Sequence, residues 1–180
     1  MASLVDRMVR AAKLDVSLYE EVEADKESMK QAVIVVVLSS VAAGIGSIGT
    51  LDLTGIVVTI LAALLGWIIW AFLTYIIGTR LLPTPETKTD FAEMMRTIGF
   101  SSSPGVLRIL GIIPVIGPFI VFLVGIWMLV AMVIAVRQAL DYTSTWRAIG
   151  VCVIGFVVYA LIFFFVFGLL GPTEMAPNAS

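Results

Sequence analysis

The chain has no histidine and one cysteine, Cys152, among its 180 residues. Without histidine, neither imidazole ligation of haem or chlorophyll nor a Ser–His catalytic pair can be built. One cysteine excludes an internal disulfide and a cysteine-rich metal site. No two aspartates lie within the apolar stretches, and the serines have no evident base nearby. We therefore expect neither a cofactor nor a metal, and we predict a protein that is not an enzyme.

Charged residues are also scarce, at 13% of the chain, against about 25% in a typical soluble domain. Hydrophobic residues make up 60%, which indicates that the lipid bilayer is the surrounding solvent. The net charge of -2 comes with scattered bases, so nucleic acid is not a predicted partner. The first 30 residues lack the apolar core and cleavage motif of a signal peptide, so we expect the first apolar run to be a retained anchor.

Five stretches are long enough to cross a membrane core of about 30 Å: residues 31–49, 55–78, 91–113, 119–136 and 148–170. The second half of the first stretch is rich in small residues. Ser40 with Gly44, and Ala42 with Gly46, form small-xxx-small pairs that allow close approach of helix backbones in lipid. These four positions are predicted to form a helix-packing face.

The third stretch is irregular. The sequence Ser-Ser-Ser-Pro-Gly at 101–105 predicts a span broken near Ser101 and Gly105, with Ser103 and Pro104 inside the break. A break of this kind either is filled by neighbouring helices or exposes backbone and hydroxyl groups that hold ions or substrates, as in transporters.

Arg108 follows the break and is the one base near the outer half of the membrane. An ionisable residue inside a span costs about 2.5–3.5 kcal/mol on insertion scales, so it needs a polar partner or water. Asp52, in the loop after the first span, is the nearest counter-charge by topology. Two interpretations stay open: an Arg108–Asp52 pair, or an Arg108 side chain that extends to the outer interface.

The basic residues select a topology. If the third stretch crosses, one side of the membrane holds ten of the eleven bases, and the other holds at most Arg108. The ten are Arg7, Arg10, Lys13, Lys26, Lys30, Arg80, Lys88, Arg96, Arg137 and Arg147. The positive-inside rule then predicts an all-α integral membrane protein with five transmembrane helices, a cytoplasmic N-terminus and an external C-terminus.

Three regions follow from this topology: a cytoplasmic N-terminal segment at 1–30, a membrane domain at 31–170 and a flexible external tail at 171–180. Residues 3–14 predict an amphipathic helix with Arg7, Arg10 and Lys13 opposite its apolar stripe. That helix lies either in an anionic headgroup region or against another cytoplasmic segment. The acidic residues 15–30 form either a solvated linker or helix, or a segment in which Leu18, Tyr19 and Val22 make a small docking face. Tyr19, Glu20, Arg80, Arg137 and Asp141 are the predicted cytoplasmic surface for partners.

Several short motifs carry a family resemblance. Leu-Tyr-Glu-Glu-Val-Glu-Ala-Asp at 18–25 precedes the first span, and Gly-Thr-Arg-Leu-Leu at 78–82 closes the second. Arg-Thr-Ile-Gly-Phe at 96–100 and Ser-Pro-Gly-Val-Leu-Arg at 103–108 fill the third, and Arg-Gln-Ala-Leu-Asp at 137–141 ends the fourth. In these motifs the chain resembles the bacterial branch of the Yip domain family, which are small five-span membrane proteins.

The resemblance implies a five-helix bundle in the bacterial cytoplasmic membrane. Eukaryotic members are associated with Rab-type GTPases and vesicle traffic, so a GTPase partner is implied by analogy alone. Three functions stay open: a non-enzymatic protein that organises membrane or binds partner proteins, an accessory subunit of a larger membrane complex, or a small-solute or lipid transporter using the broken span. Other membrane proteins, in a hetero-complex or homo-oligomer, are the predicted partners.

Overall fold

The computed structural model describes residues 2–48 and 53–170, and the regular secondary structure within these ranges is helical. The α-helices are α1 (Leu4–Ala12), α2 (Val16–Ala24), α3 (Ser28–Ile48), α4 (Leu53–Ile76), α5 (Phe91–Ser101), α6 (Gly117–Ala139) and α7 (Thr145–Leu170). A π-helical turn, Ile77–Leu81, extends α4, and a 3-10 helix, Ser103–Ile112, follows α5. Asp52 and the predicted tail at 171–180 lie outside the described residues.

Within the described ranges, four helical segments are long and apolar enough to cross a membrane: Ser28–Gly46, Thr54–Leu81, Gly117–Ala139 and Thr145–Ile162. They correspond to the first, second, fourth and fifth predicted spans. The predicted third span is divided between α5, with 11 residues, and the 3-10 helix, with 10 residues, so each part is too short to qualify by itself. The molecule is an all-helical membrane protein.

The α-helix of the third stretch ends at Ser101, inside the predicted break. The amide of Ser102 donates to the carbonyl of Gly99 (3.2 Å), and the amide of Gly105 donates to the carbonyl of Ser102 (2.9 Å). The hydroxyls of Ser101 and Ser103 each donate at 2.7 Å to the carbonyl three residues before them. These two hydroxyls therefore form hydrogen bonds with carbonyl groups in the last turn of α5.

The α5–3-10 segment runs beside α3 and in the same direction. Gly99 lies against Ala32, Gly105 against Ser39, and Gly46 against the main chain of Arg108. A Cβ atom at Gly105 would lie 1.9 Å from the Ser39 hydroxyl, and one at Gly46 would lie 1.8 Å from the Arg108 carbonyl oxygen. The two backbones are in contact, and side chains larger than hydrogen do not fit at these crossings. The predicted packing positions Ser40, Ala42, Gly44 and Gly46 are all buried.

Helices α1 and α2 are here called the N-terminal cap. Helix α2 packs on α5 and α6, and α1 packs on the 3-10 helix and α5. Ala11, Leu18, Tyr19 and Val22 from the cap belong to the same buried apolar cluster as Met94 and the other core residues of the bundle. The interpretation of 15–30 as a solvated linker is therefore wrong for α2. Its apolar residues are covered because the helix lies in the groove formed by α5 and α6.

Candidate functional site

Two side chains of the bundle bind the last carbonyl groups of the cap helices. The Nε of Arg96 donates to the main-chain carbonyl of Val22 (2.9 Å), and another guanidinium nitrogen of Arg96 donates to the main-chain carbonyl of Glu23. The indole of Trp127 donates to the carbonyl of Ala12 (2.8 Å). Carbonyls in the last turn of a helix have no partner within that helix, and a cation there also complements the helix dipole. The bundle therefore fixes the end of each cap helix.

Arg7 ties the cap to the start of α3. Its guanidinium donates to Glu21 (2.9 Å), Asp25 (2.7 Å) and Gln31 (3.0 Å), and the residue is only 4% exposed. Hydrogen bonds from Arg10 and Arg7 hold the pKa of Glu21 below its ordinary value. The Arg7 hydrogen bond likewise lowers the pKa of Asp25. The basic face predicted for α1 thus turns partly inward, since the charges that pair with it lie on α2 and just after it.

The outward side of α1 remains apolar. Leu4 and Met8 pack on the core, whereas Val5 and Val9 are 68% and 46% exposed. The helix therefore packs on protein along one edge and exposes apolar side chains along another, so each of its two predicted environments keeps some support.

Glu23, near the end of α2, lies within electrostatic reach of three other acids, on α2, on α5 and in the α6–α7 loop. Burial, followed by the charges of Asp141 and Glu93, raises the pKa of Glu23 to about 7, and Glu20 adds a smaller effect in the same direction. Arg96 opposes the shift. We call Glu20, Glu23, Glu93 and Asp141 the acidic patch.

The residues predicted for the partner surface have different environments. Glu20, Arg80 and Asp141 are exposed. Arg137 is half-buried and donates to the carbonyls of Tyr142 (3.1 Å) and Thr143, so it stabilises the α6–α7 loop. Tyr19 is fully buried, and its hydroxyl donates to the carbonyl of Ala11 (3.4 Å). The assignment of Tyr19 to the surface is wrong because the cap folds over this ring.

A cavity of about 430 Å³ lies between α3, α4, the α5–3-10 segment and α6. Its walls are mainly apolar and include the rings of Trp67 and Trp70. The polar residues on the walls are Arg108 and four hydroxyl residues: Ser39, Ser40, Thr59 and Ser102. We call this space the Arg108 cavity.

The polar groups of the Arg108 cavity are only partly satisfied. Ser40 and Thr59 each donate at 2.8 Å to a carbonyl of their own helix. Within residues 2–48 and 53–170, the buried Nε of Arg108 has no hydrogen-bond partner. The hydroxyls of Ser39 and Ser102 donate to no group in that part of the chain either. The predicted partner Asp52 lies outside the described residues, so the Arg108–Asp52 pair stays a prediction.

A second cavity of about 360 Å³ lies on the far side of Trp70 and Met132. These two side chains form the wall between the cavities, and the indole of Trp70 donates to the Met132 sulfur at 3.2 Å. Apart from the thiol of Cys152, the lining of the second cavity is apolar. Leu129 and Phe156 at its rim are 66% and 65% exposed, so it opens to the bilayer.

Sequence reasoning did not identify Arg96 or Trp127 as anchors of the cap, or Trp67 and Trp70 as cavity walls. Only tertiary packing brings these residues to their partners, which lie tens of positions away in the chain. A search of the described residues for three or more clustered Cys, Asp or Glu side chains suited to a metal ion finds none.

Comparison with known proteins gives one match. The family model of the Yip1 domain matches residues 17–167, which include α2, all four candidate membrane helices and the α5–3-10 segment. Neither the curated proteins nor the solved structures contain a significant match. Because the matched region covers most of the 180 residues, the chain belongs to the Yip1 domain family.

Proposed function

We propose that this protein is a non-enzymatic, multi-pass membrane protein of the Yip1 type that binds partner proteins at its cytoplasmic face. The acidic patch is the observation that carries the proposal. Folding brings Glu20, Glu93 and Asp141 near Glu23, although their charges and the burial of Glu23 oppose the ionisation of Glu23. Groups of like charge that are held close enough to oppose ionisation are typical of functional surfaces. A partner segment rich in Lys or Arg would relieve the repulsion.

The proposed topology has five crossings, with the N-terminus in the cytoplasm of a bacterial cell and the C-terminus outside its cytoplasmic membrane. Ten of eleven bases on one side support it. The close parallel run of α3 and the α5–3-10 segment supports the third crossing, since Gly99 lies near the start of α3 and Arg108 near its end.

The N-terminal cap adds a membrane-organising element to this proposal. Val5 and Val9 face away from the bundle, and Asp6, Arg10 and Lys13 lie on the remaining face of α1. A helix with this division of faces occupies the headgroup region of one leaflet. The cap would therefore take up area in the cytoplasmic leaflet only and present the acidic patch above it.

Extraction of the native protein in polymer nanodiscs, followed by mass spectrometry of co-migrating proteins, tests partner binding. We expect a stoichiometric partner that is lost from the Glu20→Lys/Asp141→Lys variant. Glu27→Lys is the matched control, because Glu27 is exposed and outside the patch. Migration of the wild-type protein alone, or retention of the partner by the patch variant, contradicts the proposal.

Cysteine labelling tests the topology. In a Cys152→Ala background, Thr143→Cys in the α6–α7 loop should resist a membrane-impermeant maleimide in intact spheroplasts and react after the membrane is opened. Labelling of this position in intact spheroplasts would place the loop outside and remove the third crossing.

A further inference from the structure

We infer that the Arg108 cavity and the second cavity together bind one anionic lipid, with the phosphate or carboxylate of its headgroup on Arg108 and an acyl chain in the apolar cavity. This inference goes beyond the proposed partner binding and does not depend on it. It concerns the interior of the bundle, whereas the proposed partner surface is cytoplasmic.

The headgroup assignment follows from the unsatisfied donors. The Nε of Arg108 is buried without a partner among the described residues, and the Ser39 and Ser102 hydroxyls face the same cavity. An Arg guanidinium matches the oxygens of a carboxylate or phosphate in a bidentate geometry. A ligand with such oxygens would accept hydrogen bonds from all three groups, and a neutral apolar ligand would leave them unpaired.

The position proposed for the acyl chain of the lipid follows from the second cavity. About 360 Å³ of space is lined by apolar side chains and Cys152, and it opens to the bilayer between α6 and α7. Met132 is part of the wall between the cavities, and its flexible side chain can adapt to an acyl chain that passes over it. Each cavity falls within the usual range of ligand pockets, about 300–1,000 Å³.

Charge within the described residues favours an external anion. At the cytoplasmic end, acids of the cap form ion pairs with Arg7 or Arg10. The acids of α5 and of the α6–α7 loop belong to the acidic patch at the same end. None of the described carboxylates forms a salt bridge with Arg108. The anion that balances Arg108 therefore comes from the bilayer in this proposal, and the test must separate it from Asp52 and from free phosphate.

The full-length protein is reconstituted in phosphatidylcholine nanodiscs that contain a minor fraction of phosphatidic acid, and native mass spectrometry then measures the lipid that remains after extraction. Wild-type protein should retain phosphatidic acid over phosphatidylcholine. The preference should fall about tenfold or more in Arg108→Gln and persist, weakened, in Arg108→Lys. Arg147→Gln, at an exposed arginine, is the matched control and should behave as wild type.

A second pair of variants tests the chain site without altering Arg108. Val153→Trp places a bulky ring in the second cavity and should lower lipid retention. Val157→Trp, one turn further along α7 and also exposed, lies outside the lining and should not. In a Trp67→Phe/Trp127→Phe/Trp146→Phe variant, which keeps Trp70 as its single tryptophan, phosphatidic acid with brominated chains should quench the fluorescence more than brominated phosphatidylcholine does.

Three results would overturn the inference. Equal retention of the two lipids by wild type would remove the headgroup preference. Displacement of phosphatidic acid by inorganic phosphate alone would identify a free anion as the ligand. Unchanged retention in Arg108→Gln, with new anion retention in Asp52→Asn, would assign Arg108 to an internal pair with Asp52.

Discussion

Arg96 and Val22 are 74 positions apart in the chain, yet the Arg96 Nε donates a 2.9 Å hydrogen bond to the Val22 carbonyl. Arg96 is 4% exposed, and it reaches the end of α2 from the middle of α5. The bond links the N-terminal cap to the helix that begins the broken segment. A movement of the cap and a movement of α5 are therefore mechanically connected.

Arg96→Ala should release α2 from α5. The loss of a buried, charged donor to two carbonyls should lower the stability of the docked cap by about 2–3 kcal/mol. Limited trypsin digestion measures this through cleavage after Lys13 and Lys26, which should become faster. Arg80→Ala removes an exposed arginine as a control. Equal cleavage rates for the two variants would contradict the role of Arg96.

Trp127→Phe keeps an aromatic ring on α6 and removes the indole donor to Ala12. The cost should be about 1 kcal/mol, because one neutral hydrogen bond is lost and the ring still packs. Hydrogen exchange along Leu4–Ala12 should become faster, while exchange in α4 stays unchanged. Trp146→Phe is the matched control, since Trp146 is 80% exposed. An equal effect of both substitutions would show that the indole bond does not hold α1.

Glu23 should make cap docking weaken as the pH rises. Its pKa is raised from 4.5 to about 7 in the folded protein, so the folded state keeps a proton that the unfolded chain releases. The resulting stabilisation is present below pH 4.5 and is lost as the pH passes 7. Its upper limit is about 3 kcal/mol, reduced by solvent at this half-buried site.

Glu23→Gln should remove this dependence and stabilise the cap above neutral pH. Trypsin cleavage of the cap, measured at several pH values and corrected for the pH dependence of trypsin itself, checks the slope. Glu27→Gln removes a carboxylate whose side chain is 72% exposed and should keep the wild-type slope. A wild-type slope of the opposite sign would show that the acidic patch does not control docking.

Gly46→Ala should destabilise the bundle by about 2 kcal/mol or more. The new methyl group would begin 1.8 Å from the main-chain oxygen of Arg108, so α3 and the 3-10 helix must separate. Gly125→Ala, on α6, meets nothing within 4 Å and should be tolerated. Thermal unfolding of the purified protein in detergent compares the two. Similar melting temperatures would mean that the two backbones are less closely packed.

The sequence indicates the helical membrane class and the ends of the long helices because hydropathy and the positions of helix-ending Gly, Pro and polar residues are local properties. The break near Ser101 is predicted in the same way, from adjacent Ser, Pro and Gly residues. The helical pattern predicts Arg7 opposite the apolar stripe of its helix, but it does not predict the pairing with Glu21, Asp25 and Gln31, because these residues lie 14 to 24 positions away.

Tyr19 illustrates the same difficulty. It lies in an acidic stretch that resembles a solvated helix, and only the groove between α5 and α6 explains its burial. The Arg108 cavity was not predicted either, although its arginine was identified. The cavity is the space that four separate segments leave unfilled between them. The spacing of residue types along one segment does not predict that volume.

The contact between α3 and the α5–3-10 segment also bears on how the protein is made. Residues 91–112 contain Glu93, Arg96 and Arg108 and do not form a helix apolar enough to enter lipid unaided. Their backbone lies against the small residues of α3, which is synthesised earlier. In the proposed five-span topology, α3 would remain beside the translocon until this segment emerges, and integration of the third crossing would depend on an already inserted helix.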